Sequence, residues 1–106
     1  MGKYVQVLTT AEVKSQAEKI AETLVDKEMA GCVQIVGPIT SIYRWKGKIE
    51  KAEEWLCLIK TKAELYDEVE KTIRQNHTYE TPEIISMPIT AANKKYLKWL
   101  NSELKT

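Results

Sequence analysis

Hydrophobic and polar residues alternate, or recur at helical spacing, along most of the chain. Residues 3–10 alternate and are rich in β-branched side chains, which is typical of a strand. From Val13 to Val25 the apolar residues recur at helical spacing, and Gly31 is expected to close that helix. Thr9 with Glu12 is a candidate capping box for its start. The first part of the chain therefore predicts a strand followed by a helix.

The next segment predicts a long β-hairpin. Cys32–Arg44 has the composition of a strand, interrupted at Gly37-Pro38, where a bulge or bend is expected because proline lacks a backbone N–H. Residues 45–48 supply the turn, and Ile49–Thr61 returns. Since strands commonly have about 5–6 residues, the far end of this hairpin should project from the body of the molecule.

The remaining residues predict a second helix, a fourth strand and a final helix. Thr61 with Glu64 is a second candidate capping box, and Asn76 is expected to end the helix. The strand covers residues 82–90, and the last helix contains residues 96–100. This order predicts an α+β fold of the ferredoxin-like split β-α-β class (βαββαβ plus a C-terminal helix). It has an antiparallel sheet with its helices on one face, in a single domain over residues 1–106.

The returning strand of the hairpin is apolar on both faces. Trp55, Cys57 and Ile59 point to one side, and Leu56 and Leu58 to the other. The fourth strand also has apolar residues on both sides. Because a chain this short has helices for only one face, the second face is expected to meet another subunit. The predicted interface residues are Tyr43, Trp45, Trp55, Leu56 and Leu58.

Composition narrows the classes of partner. The 106 residues include 16 Lys and Arg and 15 Asp and Glu, for a net charge of +1, which does not provide the basic surface of a nucleic-acid-binding protein. The longest apolar run is far shorter than the ~20 residues that span a bilayer, so no membrane partner is predicted. Cys32 and Cys57 are isolated, which favours a reducing, cytoplasmic location and a packing role for both thiols.

His77 is the only histidine and the first candidate for chemistry. It shares a loop with Glu80 and Glu83, and imidazole with carboxylate is a suitable ligand set for a divalent ion such as copper or zinc. The alternative interpretation is a loop histidine that caps or packs between elements. No obligatory cofactor is predicted.

A second candidate is a cleft for a small anionic ligand near Trp45, Lys60 and Tyr79. Trp45 lies at the hairpin tip, and Lys60 precedes a helix N-terminus, where an anion can be held. The alternative for Lys60 is an ordinary solvated lysine. No nucleophile–base pair and no phosphate-binding loop is recognisable, so the chain is not expected to be an enzyme.

Several segments together resemble the CutA family of divalent-cation tolerance proteins. They are Gly31–Val33, Ser41–Ile49, Leu58–Thr61, His77–Ile84 and Tyr96–Leu100. The resemblance implies a ferredoxin-like protein that forms a tight trimer with interlocked hairpins. It also implies an architecture similar to that of the PII signalling proteins, which bind small ligands between subunits. The family is named for copper and divalent-cation tolerance in bacteria, and animal members are linked to anchoring of acetylcholinesterase.

The chain departs from the family pattern at three positions. Thr9 stands where some members carry a cysteine that is interpreted as a copper ligand, and Asn76 stands where some carry the first of two histidines. Thr78 replaces the usual proline. Of the copper ligands that the resemblance implies, this chain retains only His77, since threonine and asparagine are poor ligands for copper.

Three hypotheses follow. The first is a cytoplasmic homotrimer that binds divalent metal weakly through His77 with Glu80 or Glu83. The second is a PII-like sensor whose intersubunit cleft holds an anionic metabolite. The third is a structural or scaffold trimer in which His77 is only packed.

Overall fold

A four-stranded antiparallel sheet organises the molecule. The computed structural model describes residues 3–105, and the strands lie in the order β2-β3-β1-β4. The elements are β1 (Tyr4–Ala11), α1 (Lys14–Asp26), β2 (Cys32–Trp45), β3 (Lys48–Lys62), a 3₁₀ turn (Ala63–Leu65), α2 (Tyr66–Gln75), β4 (Ile84–Pro88) and α3 (Lys94–Glu103). The predicted ferredoxin-like order and the added C-terminal helix are confirmed.

One face of the sheet is sealed by helices. Alternate residues of β1 and β3 point to it, and Val7, Cys57 and Ile59 are completely buried there. From the helices, Leu24 of α1 and Ile73 of α2 are also completely buried in the same cluster. This face is the hydrophobic core of the chain, and we call it the helix face.

The other face, which we call the open face, carries apolar side chains without a cover. Leu8 pairs with Leu58 on one side and with Ile85 on the other, so the three residues form a row across β3, β1 and β4. Leu8 and Leu58 are half-buried, whereas Ile85 is 45% exposed and Met87 is 39% exposed. The predicted two-sided apolar sheet with helices on one side is therefore present in the structure.

The long hairpin is formed by β2 and β3, and its outer part, residues 39–54, is named the arm. A register shift lies between Val36 and Ile39, which confirms the expected irregularity at Gly37-Pro38. At the tip, Lys46 and Gly47 have φ values of 50° and 80°, as a two-residue hairpin turn requires. The molecule is accordingly elongated, 44 Å by 25 Å by 22 Å.

The two predicted capping boxes are wrong. β1 continues to Ala11, so Thr9 is a buried strand residue, and no side chain caps α1. Thr61 lies in β3, and its hydroxyl donates to the carbonyl oxygen of Met29 at 2.7 Å. Both threonines occupy inward positions of paired strands, and this tertiary pairing overrides a local four-residue motif.

The end of α1 and both ends of β4 also differ from the prediction. α1 ends at Asp26, and Glu28 rather than Gly31 takes the left-handed conformation that follows it, with φ 59°. β4 is shorter than the predicted 82–90, because pairing with β1 covers only Ile84–Pro88. Asn76 does cap the end of α2, as predicted.

Within residues 3–105, no helix has the length and apolar character needed to cross a bilayer.

Candidate functional site

A cleft of about 320 Å³ opens on the open face, between the arm, the end of β1 and the loop that follows α2. Three hydroxyl residues form part of its lining, namely Thr10, Ser41 and Thr81. The side chains that define its chemistry are the acidic Glu54, Glu80 and Glu83 and the aromatic Tyr43, Trp45 and Tyr79. The cleft is therefore acidic and aromatic.

His77 fixes the loop that forms one wall of the cleft. Its Nδ1 accepts a hydrogen bond from the backbone N–H of Tyr79 at 3.1 Å, and its Nε2 lies 2.7 Å from the carbonyl oxygen of Thr10. Because a carbonyl oxygen can only accept, Nε2 must carry the proton and donate it. The imidazole is thus a neutral clip that ties the loop to the end of β1, an arrangement that matches the alternative interpretation of this residue.

Tyr79 and Glu54 form the polar centre of the cleft. The Tyr79 hydroxyl donates to Oε2 of Glu54 at 2.7 Å, and Glu54 is only 8% exposed. Burial, followed by the hydrogen bond to the Glu54 carboxylate, raises the pKa of Tyr79 well above its usual range. The phenol therefore stays protonated and acts as a donor. Glu54 reaches this position because it lies on the same face of β3 as Leu56 and Leu58.

The fold and sequence have known counterparts. A sequence profile described as "CutA1 divalent ion tolerance protein" matches residues 5–103. This chain belongs to the CutA1 family. The "Divalent-cation tolerance protein CutA" of Thermus thermophilus is 39% identical over 94 residues, which are 89% of this chain and 91% of the relative. The chloroplastic protein CutA of Arabidopsis thaliana is 36% identical over 99 residues, which are 93% of this chain but 54% of the relative.

Solved structures of CutA1 proteins agree with this assignment. The protein from Thermus thermophilus superposes with a TM-score of 0.94 at 36% identity, covering 96% of this chain and 99% of that one. For the crystal structure of CutA1 from Oryza sativa the TM-score is 0.95 at 35% identity, with coverage of 97% and 94%.

This chain spans about half the length of the curated plant relatives, 54% of the Arabidopsis thaliana protein and 56% of the Oryza sativa protein. The relative from Thermus thermophilus is named as a tolerance protein, the one from Arabidopsis thaliana as chloroplastic, and the solved structure from Archaeoglobus fulgidus as a periplasmic tolerance protein.

The metal-ligand set predicted for this CutA1 chain is only partly assembled. Glu80 and Glu83 line the cleft, whereas both ring nitrogens of His77 are engaged by the backbone. Within residues 3–105, no three or more His, Cys, Asp or Glu side chains come together as a group that could hold a metal ion. Thr9, at the position where some relatives carry cysteine, is buried on the helix face and does not line the cleft. Metal binding at His77 stays a prediction, and it would require the ring to release a backbone contact.

The residues predicted to hold an anionic ligand are separated. Trp45 and Tyr79 line the cleft, but Lys60 does not. The Lys60 ammonium donates to Oε1 of Gln34 at 2.8 Å, and desolvation lowers its pKa. Its position on the open face places it beside Gln6 and Cys32 rather than beside the carboxylates. An anionic ligand stays a prediction, without support from the charges that line the cleft.

Four of the five predicted interface residues lie on surfaces that are free of helices. Tyr43 and Trp45 are 45% and 44% exposed on the arm, and Leu56 and Leu58 are half-buried on the open face. Trp55 differs, because it lies on the helix face and packs on its own chain. A Cβ atom at Gly37 would come within 2.4 Å of its ring. Trp55 is therefore not part of the surface that the other four share.

The cysteines lie in the strands, as expected. Cys57 is completely buried, and burial raises the pKa of its thiol to about 11, so the thiol stays protonated. Its Sγ lies 3.9 Å from the carbonyl oxygen of Ala17, toward which it donates. Cys32 is half-buried at the start of β2. Packing is the role that these surroundings favour for Cys57.

Glu54 is the main residue of the cleft that the sequence analysis missed. The sequence places Glu54 inside the predicted strand of residues 49–61, where a single carboxylate attracts no notice. The signal was present, since strict alternation places Glu54 on the side of Leu56 and Leu58, away from the helices. Its partner Tyr79 lies 25 residues away in the sequence and could not be predicted from local pattern.

Proposed function

We propose that this chain is a homotrimeric divalent-cation tolerance protein that assembles through its open face and its arm. The observation that supports assembly most strongly is the apolar row Leu8–Leu58–Ile85, which lies across three strands without cover from the chain's own helices. A contiguous exposed apolar surface of this kind is typical of a protein–protein interface.

The arm supports the same proposal. Ile42 and Ile49 are 67% and 72% exposed, and both lie on one side of the arm, opposite the side that carries Tyr43 and Trp45. β-Branched side chains with this exposure gain free energy only when a second surface covers them, by roughly 25 cal/mol for each Å² of apolar area buried. The net charge of +1 offers little repulsion between copies. The trimeric state itself is the part of the proposal that comes from resemblance to the family.

Assembly is tested with paired aspartate variants. Leu58→Asp places a carboxylate in the middle of the open face, and we expect light scattering to show a loss of the trimer in favour of smaller species. Val25→Asp is the matched control, because Val25 is 43% exposed on α1, on the opposite side of the sheet. If Leu58→Asp keeps the mass of the unmodified protein, the open face is not the interface.

The cation response is proposed to rest on weak binding of copper or zinc by His77 together with Glu80 or Glu83. Support comes from the two carboxylates that line the cleft next to the loop and from the tolerance proteins among the relatives. A cytoplasmic location and the absence of catalysis belong to the same proposal, and the free thiols of Cys32 and Cys57 fit a reducing compartment.

Isothermal titration with copper tests this site. His77→Gln and Glu83→Gln are each expected to weaken binding, and Glu22→Gln, on the exposed side of α1, is expected to leave it unchanged. Copper binding that survives both substitutions at the loop would remove the named site while leaving the assembly proposal intact.

A further inference from the structure

The cleft contains a buried carboxylate that has no basic partner among residues 3–105. Glu54 is 8% exposed, and its only hydrogen-bond partner among residues 3–105 is the neutral Tyr79 hydroxyl. None of the ion pairs formed within that range involves Glu54. Burying a carboxylate is costly unless an opposite charge or several donors compensate it. The charge therefore favours a cation as the occupant of the space in front of it.

Other charges in the cleft have the same sign. Among residues 3–105, Glu80 and Glu83 line the cleft and no lysine or arginine does, and Glu12 contributes a further negative charge near Tyr79. Thr78 approaches Glu12 at 3.5 Å, which places this carboxylate against the same loop. Such a surface attracts cations and repels phosphates and carboxylates.

The aromatic walls select the type of cation. Tyr43 and Trp45 extend from the arm, and Tyr79 faces them from the loop. Aromatic faces bind ammonium groups, Trp most strongly. Trp45 already shows this property, because the ammonium of Lys46 lies 5.9 Å from the centre of its ring. The walls also offer apolar contact to methyl and methylene groups, which a hydrated metal ion does not use.

We propose that this cleft is a binding site for a small organic cation, an alkylammonium group held between Trp45, Tyr43 and Tyr79 with its charge toward Glu54. The site shares its cleft with the metal proposal, because Glu80 and Glu83 also line it, but it rests on different side chains, Glu54 and the three aromatic residues. Its size of about 320 Å³ lies at the lower end of the range for small-molecule sites. The Tyr79 hydroxyl holds the Glu54 carboxylate in place, and the His77 clip holds Tyr79.

The test uses the full chain and tetramethylammonium as the probe. Isothermal titration compares this ion with tert-butyl alcohol, which has a similar size and no charge. We expect measurable binding of the ion and none of the alcohol. Glu54→Gln keeps an acceptor for the Tyr79 hydroxyl but removes the charge, and it should weaken binding by about tenfold or more. Glu53→Gln, its exposed neighbour on the opposite face of β3, should leave binding unchanged.

A second variant keeps the proposal testable if Glu54→Gln does not fold. Trp45 is 44% exposed at the arm, so Trp45→Ala does not threaten the core, and it should also weaken binding severalfold. Because Trp45 is also a predicted interface residue, the comparison is made on samples that light scattering shows to keep the mass of the unmodified protein. Equal binding of ion and alcohol would overturn the proposal, as would full binding by both variants.

One more outcome would overturn it in a specific way. If tetramethylammonium does not bind while Glu54→Gln changes the oligomeric mass, the cation that compensates Glu54 is a basic side chain of another copy. Light scattering on the same samples distinguishes the two proposals, because a failure of ammonium binding with an intact trimer leaves the assembly proposal standing.

Discussion

Ile59 and Leu58 are neighbours in β3, yet they face entirely different surroundings. Ile59 points to the helix face and is completely buried by the chain's own helices, whereas Leu58 points to the open face and stays half-buried. Both positions are equally apolar in the sequence. The comparison shows that the two faces of one strand can meet different surroundings, of which the chain's own helices cover only one.

The cleft lies on the open face of the sheet, which the chain's own helices do not cover. Thr10 and Glu54 line it. Their immediate neighbours along the strands, Thr9 and Trp55, point to the helix face. A site on the open face can be shaped by assembly, while a site on the helix face would be closed permanently. This position connects the proposed ligand site to the proposed interface.

The largest expected effect comes from truncation on the helix face. Ile59→Ala removes a completely buried side chain and should lower the free energy of unfolding by roughly 2–5 kcal/mol, through lost transfer energy and a cavity. Urea denaturation at two protein concentrations measures it, and the difference should not depend on concentration. Leu58→Ala is the partner measurement, and its loss should be present where the protein is assembled and should shrink as dilution dissociates both proteins. Equal and concentration-independent losses at both positions would remove the distinction between the two faces.

A smaller effect is expected at the bend where β2 leaves the body. At Gly37 an added Cβ would lie 2.4 Å and 2.6 Å from atoms of the Trp55 ring, so Gly37→Ala forces the ring or the strand to move. We expect a loss of about 1–3 kcal/mol in the free energy of unfolding. Thermal unfolding followed by circular dichroism provides the measurement. Ser41→Ala, farther along the same strand, is the control, and an equal stability of Gly37→Ala and the unmodified protein would contradict the observed packing.

The smallest effect concerns the cleft. Tyr79→Phe removes one hydrogen bond to Glu54 and should cost about 1 kcal/mol at neutral pH. The pKa of Tyr79 is raised in the folded protein above its ordinary value of 10.0, so the phenol stabilises the fold fully below pH 10 and this contribution is lost as the pH rises further.

Measuring the free energy of unfolding against pH separates the contribution of the Tyr79 phenol from that of the buried Cys57 thiol. The thiol of Cys57, with a pKa raised from 9.0 to about 11, loses its stabilising contribution over that interval in both proteins. The unmodified protein should therefore lose stability above pH 10 more steeply than Tyr79→Phe. Parallel curves for the two proteins would mean that the phenol does not donate to Glu54.

Much of the fold was predictable because its signals are local and periodic. Alternation defined β1 and the two-sided β3, helical spacing defined α1, and Gly37-Pro38 marked the irregularity in β2. The capping boxes failed because a threonine in a four-residue motif carries no information about strand pairing. Thr9 pairs with Cys57 across the sheet, and the Thr61 hydroxyl donates to Met29, and both of these residues lie far away in the sequence.

The site was predictable only in part, for the same reason. The loop around His77 was recognised, but the contact of His77 with Thr10 joins residues 67 positions apart. Because of that contact, the imidazole links the loop to the strand by hydrogen bonds and is not free to act as a ligand. The acidic character of the cleft also depends on which residues the fold brings together, since Glu54 and Glu80 come from β3 and the loop.

We propose above all that other copies of this chain complete the open face. Sedimentation equilibrium of the unmodified protein at micromolar concentration tests it most directly. We expect a particle of three times the 12.2 kDa mass of one chain, stable on dilution through the micromolar range. A particle with the mass of a single chain at those concentrations would contradict it.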